Sequence, residues 1–300
     1  MWGKMKTGWR VLLTGAGGQL GQAFLEADLP EWTFLACRHE DLDITDLGQV
    51  RQRVASLAPN VILNCAAYTA VDAAETDPLS AYRINATGPR NLALVAAEQN
   101  LPLVHISTDY VFDGLGERPY HEFDRPSPQS VYGLSKWAGE QAVAALHSRH
   151  YLVRTAWLYH HQPLTAKNFL RTMLALGQTR HREGVRVVSD QYGSPTYAPH
   201  LVSAIAQLLT TGAYGTYHFA GLGGTSWYEL TRRFYLEMGV TTPVHPVSTA
   251  AFPRPAPRPR FSVLTTLQSP EILLPPWEEG VVAFAQALTS SSSPHATDGS

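Results

Sequence analysis

Trp9-Arg10-Val11-Leu12-Leu13-Thr14-Gly15-Ala16-Gly17-Gly18-Gln19-Leu20-Gly21 is the stretch that decides the fold. Its first six residues read as a short apolar strand, and the glycines lead into a helix reaching about Ala27. Such a turn leaves backbone N–H groups unpaired at the helix start, where the helix dipole is positive. Glycines let that backbone approach a pyrophosphate and let the helix pack closely on the strand. The spacing is G-x-x-G-x-x-G, because position 20 is Leu where the stricter G-x-G-x-x-G fingerprint wants Gly. Glycine turns without a ligand are common; the position after the first strand is what points to a dinucleotide.

Outward from this turn, strands and helices alternate. Thr33 to Cys37 reads as a second strand, and Asp46 caps a helix with Val50, Val54 and Leu57 on one face. Val61 to Asn64 is a third strand, and Asp77-Pro78 opens a long helical region. Leu101 to Ser107, the helix Val131 to Leu146 and the strand Tyr151 to Thr155 follow. The alternation predicts an α/β fold, a doubly wound parallel sheet of the Rossmann kind. After residue 157 it weakens: a helix at Asn168–Leu176, a strand at Val185–Val188, a helix at Leu201–Leu209, and a helix capped by Ser226 and Glu229 that ends near Gly239. Residues 9–157 therefore read mainly as a dinucleotide-binding domain. Residues 158–288 read mainly as a smaller C-terminal α/β substrate-binding part, with some segments returning to the first domain. The polar residues 289–300 read as a disordered tail.

Composition excludes several classes. With 44% hydrophobic and 16% charged residues, the 300-residue chain is an ordinary globular enzyme in make-up. The 23 Lys and Arg are scattered and the net charge is −2, so no nucleic-acid partner is expected. The one local concentration, Arg254, Arg258 and Arg260 among prolines, reads as a stiff surface loop. Cys37 and Cys65 read as small buried hydrophobes, and the histidines show no ligand spacing, with His160-His161 read as a polar loop. No apolar run approaches the roughly 18 residues of a membrane span, and no signal-peptide core follows Met1–Gly8, so a cytoplasmic location is expected. A possible homodimer is left open.

The second strand ends at Cys37-Arg38, where an acid would meet the ribose hydroxyls of NAD; an arginine instead neutralises a 2′-phosphate. NADPH is the expected cofactor, with NADH possible, and Asp43 and Ile44 are placed to flank the adenine. Tyr132-Gly133-Leu134-Ser135-Lys136 sets Tyr and Lys on one helical face, while the fourth strand delivers Ser107-Thr108-Asp109 to the carboxyl edge of the sheet. Reducing a ketone needs a hydride at carbon and a proton at oxygen. Tyr132 can give the proton, although a free phenol titrates near 10. Lys136 as a nearby cation is expected to lower that value, and Thr108 to donate to the carbonyl oxygen.

At these residues the chain resembles the extended short-chain dehydrogenase/reductases, and within them the dTDP-4-dehydrorhamnose reductases. The resemblance spans roughly Val11 to Leu288 and is most specific at Val104–Phe112, Val131–Lys136, Asn64–Asp72 and Asp190–Thr196. It implies NAD(P)-dependent reduction at carbon 4 of dTDP-4-dehydro-6-deoxy-L-mannose, giving dTDP-L-rhamnose. By matching motifs it implies that Gly15, Gly18, Gln19, Leu20 and Gly21 hold the pyrophosphate and that Ala67, Tyr68 and Thr69 touch the cofactor. Val71, Thr108 and Asp109 would meet the sugar, Trp157 would wall its pocket, and Arg258 and Arg260 could contact its diphosphate. Related 4,6-dehydratases place Asp-Glu after the threonine, whereas here Asp109 precedes Tyr110. A reductase that also epimerises, and a non-catalytic regulatory subunit of the same fold, are the alternatives. Some members hold magnesium on glutamates; the matching position here is Ala23, with Glu26 one turn away, so no metal is expected.

Overall fold

The computed structural model describes residues 8–162, 168–180 and 182–290. β1 (Trp9–Thr14) is fully buried from Val11 onward, and the glycine turn passes the chain to α1 (Gln19–Glu26). β2 (Trp32–Cys37) runs parallel to β1. α2 (Leu47–Leu57) begins where the Asp46 carboxylate accepts the N–H groups of Gly48 and Gln49. β3 (Val61–Asn64) is buried at every residue, as a strand covered on both faces must be. Short helices α3 (Val71–Ala74) and α4 (Pro78–Tyr82) lead through a π-helical turn, Arg83–Thr87, into α5 (Gly88–Glu98). β4 (Leu103–Thr108), α6 (Val131–Leu146) and β5 (His150–Thr155) complete the first half.

The second half carries β6 (Leu158–Tyr159), α7 (Phe169–Thr179), β7 (Val185–Val188), β8 (Tyr192–Gly193) and β9 (Thr196–Tyr197). α8 (Ala198–Thr211), β10 (Gly215–His218), β11 (Thr225–Ser226), α9 (Trp227–Glu237), β12 (Val244–Val247) and α10 (Trp277–Ser290) follow. The first two residues of the tail assigned to 289–300 are instead helical: Thr289 and Ser290 close α10, and their hydroxyls bond back to carbonyls one turn earlier. The rest of that assignment lies outside the described residues.

The central sheet has the order β10-β5-β4-β3-β1-β2, parallel throughout. α1 and α8 cover one face, Leu20, Phe24, Leu201, Val202 and Ile205 packing on Val11, Leu13 and Leu63. α2 and α5 cover the other, with Val50, Val54, Leu92 and Val95 on Leu12, Ile62 and Leu103. A separate core joins α7, α9 and α10 around Leu170, Phe234 and Phe284. Strand order reverses between β1 and β3, the crevice where open α/β sheets take their ligands. Among the described residues no helix is long and apolar enough to cross a membrane.

Candidate active site

The glycine turn lies on one side of that crevice. Gly15 has φ +68°, and a Cβ there would lie 2.5 Å from the backbone N of Ala66 at the end of β3. Only glycine serves both demands. At Gly21 a Cβ would meet the Gly15 carbonyl oxygen at 2.5 Å, so its absence lets α1 sit against the turn. Gly18 occupies the cap position of α1 and offers no side-chain acceptor to the first N–H groups of the helix, a fit for a phosphate.

Arg38 follows β2, and its stem comes within 3.9 Å of where a Cβ on Gly17 would stand. Its guanidinium is exposed, 3.9 Å from Glu40. Asp43 is half-buried and accepts the N–H of Thr45, whereas Ile44 is only 4% exposed and packs beneath Gly88 of α5. Ile44 thus faces the core. Ala67, Tyr68 and Thr69 leave β3 on the opposite side of the crevice. Asn85, in the π turn, braces them: it accepts the Tyr68 N–H at 2.8 Å and donates to the Tyr68 carbonyl and to Ser135 Oγ, both at 3.0 Å. Sequence reasoning missed Asn85 because its partners lie 17 and 50 residues away.

α6 starts where Ser130 Oγ accepts the Gly133 N–H. A Cβ on Gly133 would run into the Tyr110 carbonyl oxygen, so glycine lets the helix press against the chain leaving β4. That approach brings Tyr132 close to the end of β4, beside Thr108. Thr108 also donates to Asp109 Oδ1 at 3.0 Å and accepts the Tyr110 N–H at 3.2 Å. The Tyr132 and Tyr110 rings meet edge to face at 5.4 Å.

Burial pushes the Tyr132 phenol up to about 12; the Thr108 hydrogen bond opposes this and the Asp109 charge adds to it. The expected lowering by Lys136 is not seen. Lys136 Nζ instead donates to the Ile106 carbonyl at 2.6 Å, turned along β4, and burial pulls its own value down to about 8 against the pull of Glu140. Asp109 is 2% exposed, and burial raises it to about 6 against hydrogen bonds from Ser262 and Thr108. Its Oδ2 has no hydrogen-bond partner among the described residues.

Beyond Tyr110 opens a cavity of about 680 Å³. Trp157 lines it, stacked on Trp227 with centroids 3.4 Å apart and planes 6° from parallel. Arg186, Arg254, Arg258 and Gln191 supply its polar wall. The Pro-Arg stretch is thus no simple surface loop: Arg258 is mostly covered and donates to Asp72 Oδ1 at 2.9 Å, with Arg254 3.9 Å from the other oxygen. Asp72, not its neighbour Val71, lines the cavity. His160 likewise departs from the expected polar loop, being fully buried.

Comparison with known proteins agrees with this geometry. Residues 9–290 match the model of the RmlD substrate binding domain. A dTDP-4-dehydrorhamnose reductase of Mycobacterium tuberculosis is 40% identical over 296 residues, 96% of this chain and 95% of that protein. A dTDP-4-keto-6-deoxy-D-glucose reductase of Streptomyces niveus is 41% identical, covering 93% and 96%. The crystal structure of dTDP-4-dehydrorhamnose reductase from Bacillus anthracis in complex with NADP superposes with a TM-score of 0.89 at 42% identity, over 93% of this chain and 99% of that one. The chain belongs to the RmlD substrate-binding-domain family, a reductase branch of the extended short-chain dehydrogenase/reductases.

Proposed function

We propose that this protein uses NADPH to reduce the carbon-4 ketone of dTDP-4-dehydro-6-deoxy-L-mannose, yielding dTDP-L-rhamnose. The observation that carries the reading is the edge-to-face meeting of Tyr132 with Tyr110, which lines the cavity, at the end of the strand that delivers Thr108: the two hydroxyls, of Tyr132 and Thr108, lie where they can address one carbonyl oxygen. NADPH supplies the hydride to carbon 4. Tyr132, held protonated at neutral pH by its raised value, gives the proton to oxygen as charge develops there. Thr108 steadies that oxygen. Lys136 remains a cation at neutral pH and, one helical turn from Tyr132, hydrogen-bonds the nicotinamide ribose. Asp109, whose buried Oδ2 is unpaired among the described residues, accepts a sugar hydroxyl.

Gly15, Gly18, Gln19, Leu20 and Gly21 hold the pyrophosphate, Arg38 the 2′-phosphate, and Ala67 to Thr69 flank the cofactor. Arg186, Arg254 and Arg258 face the diphosphate of the sugar nucleotide, and Trp157 with Trp227 walls the ring. In this reading residues 9–157 serve mainly the cofactor and residues 158–288 mainly the substrate, in the cytoplasm. The test supplies NADPH with the 4-keto-L-sugar and, separately, dTDP-glucose, following cofactor absorbance and product mass. One NADPH consumed per sugar supports the reading. Loss of water from dTDP-glucose refutes it, and turnover of neither favours a regulatory role.

A further inference from the structure

Away from the crevice, Glu26 at the end of α1 faces His160 and His161, which follow β6. Its Oε2 lies 3.5 Å from His160 Nε2 and 3.3 Å from His161 Nε2, and all three atoms fall within 4.8 Å of one another. These separations are too long for good charge-assisted hydrogen bonds, which run about 2.7–2.9 Å. They match the edge of a coordination tetrahedron: bonds of about 2.0–2.1 Å at tetrahedral angles put neighbouring ligand atoms about 3.3–3.4 Å apart.

The contacts behind the two imidazoles have the matching form. His160 Nδ1 is 3.0 Å from the Gln162 carbonyl and 3.3 Å from the Gln162 backbone N; in the tautomer that donates to the nearer carbonyl, the lone pair lies on Nε2. That Nε2 is fully buried and has no hydrogen-bond partner among the described residues. His161 Nδ1 meets the Tyr197 hydroxyl at 3.2 Å, again turning Nε2 toward Glu26. Metal-binding imidazoles are held in this way, one nitrogen fixed by an outer partner and the other aimed at the ion. Two imidazoles and one carboxylate suit a borderline divalent ion such as Zn²⁺ and not the hard, octahedral Mg²⁺.

We propose that Glu26, His160 and His161 form a three-ligand site for a zinc-class divalent ion, its fourth position open to water. The site ties α1 to the chain leaving β6. The His160 N–H donates to Gln19 Oε1 at 2.9 Å, and Asn168 Nδ2 bonds both the His160 carbonyl and Gln19 Oε1, so the clasp connects directly to the glycine turn. It is a structural ion in this scheme; the hydride and proton steps do not use it.

The experiment strips the full-length protein of metal with a chelator and titrates Zn²⁺ against a chromophoric competitor, then repeats with Co²⁺ while recording the visible spectrum. One ion per chain and the intense d–d absorption of four-coordinate Co²⁺ are expected. Glu26→Gln and His161→Ala should each weaken binding at least tenfold, while His39→Ala, on an exposed residue, should not. Tyr197→Phe, which removes only an outer partner, should weaken it about 10- to 100-fold. The metal-free melting temperature of Glu26→Gln, a residue 39% exposed, should equal that of the unaltered protein. Equal affinity in the wild type and both ligand variants would overturn the proposal. So would the weak spectrum of an octahedral, adventitious surface ion.

Discussion

Replacing Gly133 with alanine tests whether helix position, and not the Tyr132 hydroxyl alone, sets the rate. An added Cβ would fall well inside 3.0 Å of the Tyr110 carbonyl oxygen, with Pro128 Cβ and the Tyr110 carbonyl carbon both at 3.1 Å closing the other ways out. The obstacle is backbone, so the start of α6 must retreat, carrying Tyr132 away from Thr108. Misplacement of a catalytic group by about 1 Å costs about 100-fold in rate, so kcat should fall by that order with a smaller change in KM for NADPH. Overpacking should also cost about 1–3 kcal/mol of stability, a fall of several degrees in melting temperature. The neighbouring Leu134→Ala, on an exposed side chain, should leave the rate unchanged. The assay is steady-state NADPH oxidation with circular dichroism melting on both variants. A Gly133→Ala enzyme that stays folded and turns over at the wild-type rate would refute the claim that this close approach positions the phenol.

Tyr132→Phe should lower turnover about 100- to 10,000-fold, the usual worth of a general acid, and leave NADPH binding intact by fluorescence titration. Arg38→Asp should reverse the preference for NADPH over NADH, since a carboxylate repels the 2′-phosphate; equal kcat/KM for both cofactors in the wild type would show Arg38 to be uninvolved. The pH profile of kcat/KM should have two limbs. It should fall below about pH 6 as Asp109 gains a proton and ceases to accept from the sugar, and above about pH 8 as Lys136 loses its charge. Asp109→Asn should remove the acid limb, and a limb that persists in that variant would assign it elsewhere.

Much of the chain was legible where its signals are local. Val61–Asn64, Val131–Leu146 and Val185–Val188 have the bounds their apolar runs and spacing announce. Asp46, Asp77 and Ser226 cap their helices with their own side chains, a bond made within three residues. What stayed hidden depends on distant partners. β10, Gly-Thr-Tyr-His, has neither length nor alternation, and becomes a strand only by pairing with β5. α10 carries Val281, Phe284 and Ala285 at helical spacing, but nothing in the sequence says that they close the core of α7 and α9. At the site, residue types showed the Tyr-Lys-Thr trio, but not that Lys136 would turn to the Ile106 carbonyl or that Asn85 would hold Tyr68.

The place of β10 has a consequence for how this chain can be made and divided. The outermost strand of the cofactor sheet and the α8 helix beneath it come from residues 198–218, after the chain has already passed through β6 to β9. During synthesis the sheet cannot be finished until residue 218 has left the ribosome, so β5 waits with an unpaired edge. A fragment stopped at Trp157 would keep that open edge and lose Leu201, Val202, Ile205 and Leu208 from one face of the sheet, a recipe for aggregation. The end of β5 is therefore not a place to cut the gene, and exchanging second halves between relatives must carry residues 198–218 with the first half.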